Sequence, residues 1–127
     1  MPSFAANYLR NAIRLVRRDL LLAPLVATYY LTTRCNLNCV YCEDFGLSRN
    51  DQALPPLPLN QAQHVLKVLR SGVDRLILTG GEPLLFPDIA QLLEYASRTL
   101  KFAELTMLSN GLLLKEREQI LSHLDRL

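Results

Sequence analysis

The sequence has 127 residues, of which 50% are hydrophobic and 20% are charged. This composition is typical of a globular chain with a buried core and excludes a disordered tail. The net charge of +2 is too small to predict nucleic-acid binding. The cysteine count is odd and all three cysteines lie close together, which argues against a secreted disulfide framework, and we expect a cytoplasmic protein whose thiols stay reduced.

The first predicted element is an amphipathic helix over about residues 3–22. Its apolar stripe comprises Phe4, Tyr8, Ala12, Ile13, Val16 and Leu20, and its basic face comprises Arg10, Arg14, Arg17 and Arg18. By default we expect the apolar face to pack across the bottom of the sheet, while a partner or an anionic membrane surface remain alternatives. The apolar run over residues 20–31 is split by Pro24 and is too short to span a bilayer, so we do not expect a membrane protein.

We place a domain boundary at Pro24, with residues 1–24 as the N-terminal helix and residues 25–127 as the core. Residues 26–33 are rich in β-branched and aromatic side chains and predict the first strand. Prolines make residues 46–58 irregular. The remaining predicted elements are a helix from Asn60 to Gly72, a strand over 76–79, a helix over about 87–100, a strand over 105–108 and a helix over about 114–126.

The predicted order β-α-β-α-β-α indicates an α/β fold with a parallel sheet and right-handed crossovers. Ligands in such folds bind at the carboxyl ends of the strands. Each predicted strand is followed by a polar or glycine-rich motif: the cysteine loop, then Gly80-Gly81-Glu82-Pro83, then Ser109-Asn110-Gly111. We therefore expect the three motifs to meet at one rim. We also expect the third strand to present an unpaired edge.

The cysteine loop offers three thiolates, Cys35, Cys39 and Cys42, at the spacing C-x3-C-x2-C. A closed tetrahedral metal site or an ordinary iron–sulfur cluster requires four ligands. A site with one ligand missing keeps a coordination position open, and open positions are typical of chemistry rather than of scaffolding.

The segment C-N-L-N-C-V-Y-C after the first strand, together with GGEP after the second and SNG after the third, resembles the radical S-adenosylmethionine (radical SAM) superfamily over roughly residues 26–127. The resemblance implies that the N-terminal helix is followed by three βα units of a partial (β/α)6 TIM-like barrel. Family cores have six such units, so the parallel sheet is expected to be incomplete. We expect a truncated product, a domain fragment, or half of an assembly that a second chain completes.

The resemblance also implies the cofactors. Cys35, Cys39 and Cys42 would hold three irons of a [4Fe–4S] cluster, and SAM would chelate the fourth. An electron from an external flavodoxin- or ferredoxin-like reductant would then cleave SAM to a 5′-deoxyadenosyl radical, which abstracts hydrogen from an unknown substrate.

Further site residues follow from the same resemblance. Tyr41 corresponds to the aromatic position beside the SAM adenine, although it could instead pack within the loop. Gly80, Gly81, Glu82 and Pro83 match the segment that receives the SAM amino group. A tight turn, with Glu82 accepting from helix N-terminal amides, explains that segment equally well. Ser109 and Asn110 could contact SAM or substrate, or simply form a turn.

Two other functions remain open on the same cysteines. One is a non-catalytic zinc module, which would need a fourth ligand. The other is an electron-transfer or interaction protein that keeps the cluster without catalysis. Glu43 and Asp44, which follow the third cysteine, are interpreted as solvated loop charges rather than an acid–base pair.

Overall fold

The structure is a computed structural model that describes residues 2–42 and 46–127. A parallel sheet of three strands contains β1 (Ala27–Tyr30), β2 (Arg75–Thr79) and β3 (Glu104–Met107), in the order β1-β2-β3. The α-helices are α1 (Phe4–Val16), α2 (Leu59–Gly72) and α3 (Ile89–Glu94). The predicted α/β class with a parallel sheet and a partial TIM-like arrangement is confirmed. Glu43 and Asp44 lie outside the described residues.

The two faces of the sheet differ in burial because side chains alternate along each strand. Leu76 and Leu78 of β2 and Leu105 and Met107 of β3 are buried in one apolar cluster, which α2 and α3 complete. On the opposite face the strand residues are half-exposed, as Ile77 is, or exposed, as Tyr30 is. The core therefore lies between the sheet and its helices.

Helix α1 lies at the end of the sheet where the strands begin, as expected, but it is attached through polar side chains. The Asn7 amide donates to the carbonyls of Pro24 at 2.8 Å and Gly72 at 2.9 Å, and Asn11 is also buried. The predicted apolar stripe is largely exposed instead, with Val16 at 85%. The expected apolar packing is therefore wrong: the helix is attached through side-chain amides that donate to main-chain carbonyls of the segments before β1 and β2.

Helix α1 is also shorter than predicted. It ends at Val16 because Arg18 adopts a left-handed conformation with φ 58°, which no helix continues. The chain then runs without regular structure to β1. Within this segment, the Asn11 side-chain amide donates to the Ala23 carbonyl, and its oxygen accepts from the Ala23 N–H. Within the residues that the structure describes, no helix has the length and apolar character needed to cross a bilayer.

Three other elements differ from the prediction. The segment expected to be irregular contains a 3₁₀ helix over Leu47–Gln52. Helix α3 continues into a π-helical turn over Tyr95–Thr99. The last predicted helix is a 3₁₀ helix over Lys115–His123 that is interrupted at Arg117. Helical spacing of apolar residues does not distinguish α from 3₁₀ or π geometry over so few turns.

The outer edge of β3 is not free, contrary to the prediction. Thr106 forms a parallel bridge with Arg126, and Met107 donates its N–H to the Arg126 carbonyl at 3.1 Å. Asp125 contributes both its main-chain N–H, to the Leu105 carbonyl at 2.9 Å, and its carboxylate, which accepts from the Leu105 N–H at 2.7 Å. The end of the chain thus pairs with β3 where an open edge would expose backbone groups.

Candidate cofactor-binding site

The three strand-end motifs meet around one cavity of about 310 Å³. Its lining includes most of the predicted site residues: Cys35, Cys39, Cys42, Tyr41, Gly80, Gly81, Ser109 and Asn110. Leu37, Thr79 and Leu108 complete the lining and were not singled out from the sequence. Glu82 and Pro83 lie behind the lining and are buried. The volume is at the lower end of the range of small-molecule sites.

The cysteines are all free thiols on this cavity. Cys35 is 8% exposed, whereas Cys39 and Cys42 are half-exposed and are joined by a hydrogen bond of 3.1 Å from the Cys42 N–H to the Cys39 carbonyl. Soft thiolates sharing one cavity are the donor set that iron–sulfur clusters use, and each cysteine of such a cluster binds a different iron. The three thiols that line this cavity are therefore of the donor type that an iron–sulfur cluster uses.

A single metal ion requires a different arrangement, in which all ligands surround one point. Among residues 2–42 and 46–127, no three His, Cys, Asp or Glu side chains are grouped in that way.

The two glycines bring the second motif into direct contact with the start of the cysteine loop. Beyond the strands, the Gly81 N–H donates to the Thr32 carbonyl and the Glu82 N–H donates to the Arg34 carbonyl, both at 2.8 Å. A Cβ on Gly80 would lie 2.3 Å from the Thr32 carbonyl oxygen, and one on Gly81 would lie 2.2 Å from that of Arg34. Only glycine permits this approach, which sets Gly80 and Gly81 beside the cysteines.

Glu82 joins the second motif to the third. The side chain is fully buried, and one carboxylate oxygen accepts from the Leu84 N–H at 2.9 Å and from the Ser109 hydroxyl at 2.8 Å. The other oxygen accepts from the Asn110 N–H at 2.9 Å. The carboxylate is therefore engaged within the protein, and it is absent from the cavity lining where the sequence suggested contact with SAM.

Asn110 joins the third motif back to the cysteine loop. Its amide donates to the Asn36 side-chain oxygen at 2.7 Å, and its own side-chain oxygen accepts from the Leu112 N–H at 3.0 Å. Hydrogen bonds thus run from the cysteine loop to GGEP, from GGEP to SNG, and back to the loop. Asn36 was missed from the sequence, and its only signal is its position next to the first cysteine.

Asn50 is a second residue that sequence reasoning missed. Its side-chain oxygen accepts from the Cys35 N–H at 3.0 Å, and its amide donates to the Cys35 carbonyl at 2.8 Å. It belongs to the 3₁₀ helix that replaces the predicted irregular segment, so the sequence gives no signal that it returns to the first cysteine.

Tyr41 projects from the cysteine loop and is 84% exposed. A hydrogen bond with Cys39 raises the pKa of the Tyr41 phenol above its ordinary value, and electrostatic interaction with Cys39 and Cys42 acts in the same direction. The phenol therefore stays protonated beside the thiols and offers a flat aromatic surface at the cavity.

The model of the Radical SAM superfamily matches residues 29–127. This chain therefore belongs to the radical SAM superfamily, and the predictions of the family, and of SAM and a [4Fe–4S] cluster as its cofactors, are confirmed.

Curated relatives and solved structures agree with this assignment. GTP 3',8-cyclase of Aquifex aeolicus is 34% identical over 104 residues, which are 78% of this chain and 32% of the cyclase. The AdoMet-dependent heme synthase of Methanosarcina barkeri is 38% identical over 76 residues, covering 59% of this chain and 21% of the synthase. The subtilosin biosynthesis protein AlbA of Bacillus subtilis is 34% identical over 94 residues, covering 73% of this chain and 20% of AlbA.

Among solved structures, Streptococcus suis SuiB bound to S-adenosylmethionine superposes with a TM-score of 0.67 and 25% identity, covering 92% of this chain and 26% of SuiB. The chain spans between about a fifth and a third of the length of the three curated relatives named above.

Proposed function

We propose that this chain holds a [4Fe–4S] cluster through Cys35, Cys39 and Cys42 and binds SAM in the adjoining cavity for reductive cleavage. The observation that carries the proposal is that three free thiols and the two glycines of GGEP line the same cavity of about 310 Å³. When bound, the cluster would pass one electron to the SAM sulfonium, whose C5′–S bond breaks to give methionine and a 5′-deoxyadenosyl radical that takes hydrogen from the substrate.

The residues around the cavity have distinct parts in this proposal. Main-chain carbonyls at Gly80 and Gly81 would accept from the SAM ammonium, since an ammonium is a pure donor and glycine leaves the carbonyls accessible. Ser109 and Asn110 would contact SAM or substrate from the third strand end, and Tyr41 would lie against the adenine. Glu82 and Pro83 would act from behind, by holding these turns together.

The relatives favour radical generation, rather than one substrate, as the shared activity. Their names describe a GTP cyclase, a heme synthase and a bacteriocin biosynthesis protein, and these names share no substrate. The electron donor would be an external one-electron reductant of the flavodoxin or ferredoxin type. Further βα units, of this polypeptide or of a second chain, would cover the half-exposed face of the sheet.

Anaerobic reconstitution with iron and sulfide tests the cluster. We expect a brown protein with about four irons and four sulfides per chain. Single Cys35→Ala, Cys39→Ala and Cys42→Ala variants should each lose most of the iron. A colourless chain that instead retains stoichiometric zinc would overturn the proposal, as would a cluster that forms equally well in all three variants.

A further inference from the structure

One side-chain amide holds the main chain of the first cysteine from both sides. Asn50 accepts the Cys35 N–H at 3.0 Å and donates to the Cys35 carbonyl at 2.8 Å. The two bonds restrain the peptide groups before and after Cys35, so they restrain both of its backbone dihedrals. Those dihedrals set the direction of the Cα–Cβ bond of Cys35, and therefore the region of the cavity that its sulfur can reach.

The other two cysteines are held differently. Cys39 and Cys42 are joined by a main-chain hydrogen bond of 3.1 Å within one turn, and Cys35 lies outside that turn. The position of Cys35 relative to the pair must therefore be set by other contacts. Iron–thiolate bonds have a narrow range of lengths, so a displaced ligand weakens cluster binding.

The segment that carries Asn50 is packed back onto the cysteine loop. A Cβ on Gly46 would lie 2.6 Å from the Asn38 side-chain oxygen, which shows how closely the returning chain approaches the loop. Asn50 follows in the 3₁₀ helix over Leu47–Gln52, whose end is closed by a bond of 3.1 Å from the Ala53 N–H to the Asn50 carbonyl.

We propose that Asn50 is a positioning residue, which fixes the first cluster ligand by holding the Cys35 main chain and so controls how firmly the cluster is retained. The proposal rests on the proposed function of Cys35 as a ligand. Asn50 touches neither the cluster nor SAM in this account; it acts through Cys35 alone.

The test uses two measurements on the whole chain. The first is the rate at which a chelator removes iron from the reconstituted protein. The second is the rate at which iodoacetamide alkylates Cys35 in the cluster-free protein, measured by mass spectrometry against Cys39 and Cys42. For Asn50→Ala we expect both rates to rise roughly tenfold, because two hydrogen bonds of ordinary net strength are lost. Asn50→Asp keeps the acceptor but loses the donor, so its rates should be intermediate.

Asn60→Ala is the matched control, because Asn60 is exposed and its side chain bonds only to the neighbouring Gln61 N–H at 2.9 Å among the contacts found in the described residues. Wild-type rates for Asn50→Ala in both measurements would overturn the proposal. If circular dichroism shows that Asn50→Ala does not fold, Asn50→Asp decides: wild-type rates there also overturn it. Faster alkylation of Cys35 in a chain that binds no cluster would refute the proposed function and leave the role of Asn50 in holding Cys35 standing.

Discussion

The carboxylate of Glu82 accepts a hydrogen bond of 2.9 Å from the main-chain N–H of Asn110, and this contact joins the ends of two neighbouring parallel strands. Glu82 is fully buried, and its second oxygen is shared between Leu84 and Ser109. A carboxylate is the one side chain of this size that can only accept, which matches three donors converging on it. The turn that carries Asn110 therefore depends on Glu82 for its position at the cavity.

Glu82→Gln tests this dependence. Glutamine places an NH₂ group where a donor already points, so we expect a loss of about 2–3 kcal/mol in the free energy of unfolding. SAM binding, measured by calorimetry on the reconstituted protein, should weaken as well because the Asn110 turn moves. Glu94→Gln is the matched control, since Glu94 is exposed and pairs only with Arg98 in the described structure; it should change stability by less than about 1 kcal/mol. Equal effects of the two variants would contradict this role of Glu82.

The glycine pair gives a second prediction. Gly81→Ala would place a Cβ 2.2 Å from a main-chain oxygen that belongs to the cysteine loop, so the loop must shift. We expect a destabilisation of about 3 kcal/mol or more in chemical denaturation and a loss of cluster content. Gly111→Ala is the control: it meets no atom within 4 Å, and its φ of 77° should cost only about 1–2 kcal/mol. Cluster content should be retained in that control. Its loss there would mean that any destabilisation of the chain removes the cluster, and would contradict a specific role of Gly81.

The attachment of helix α1 can be tested at Asn7. Asn7→Ala leaves the carbonyls of Pro24 and Gly72 without their side-chain donor, so we expect a loss of about 2 kcal/mol in the free energy of unfolding. Arg10→Ala, on the exposed part of the same helix, should stay within about 0.5 kcal/mol of wild type. The comparison is made by urea denaturation, and an unchanged midpoint for Asn7→Ala would mean that α1 is not held in this way.

Burial raises the pKa of Tyr29 above its ordinary value of 10.0, which gives a prediction about alkaline stability. The unfolded phenol ionises at a lower pH than the folded one, so the neutral form favours folding. This contribution is fully present below about pH 10 and is lost as the pH rises through the folded pKa. Tyr29→Phe should flatten the decline in unfolding free energy above about pH 10, relative to Tyr8→Phe, which removes an exposed phenol. Parallel declines in the two variants would contradict the shift.

The cysteine spacing and the strand-end motifs predicted most of the cavity, and the reason is geometric. Parallel strands end at one edge, so motifs that follow Tyr30, Thr79 and Met107 must meet there once the strand order is known. The sequence could not predict that the Asn50 side chain bonds to the Cys35 main chain. An irregular segment has no periodicity that would show which part of the fold it contacts.

The docking of α1 was mispredicted for a related reason. Apolar spacing indicates which face of a helix avoids water, but it contains no information about main-chain carbonyls in the surface below. Asn7 and Asn11 supply donors to such carbonyls, and the helix orients accordingly. The role of Glu82 could not be predicted for the same reason. Three donors surround its carboxylate, and their arrangement depends on the relative position of two turns.

The most direct test of the central claim is the EPR spectrum of the reduced, reconstituted chain with and without SAM. Because SAM would bind the iron that lacks a thiolate, the account predicts that adding SAM changes the g-values of the cluster signal. It also predicts that, in excess cyanide or another strong iron ligand that competes for that position, the spectra with and without SAM are the same. A strong cluster signal that is identical with and without saturating SAM would contradict the account.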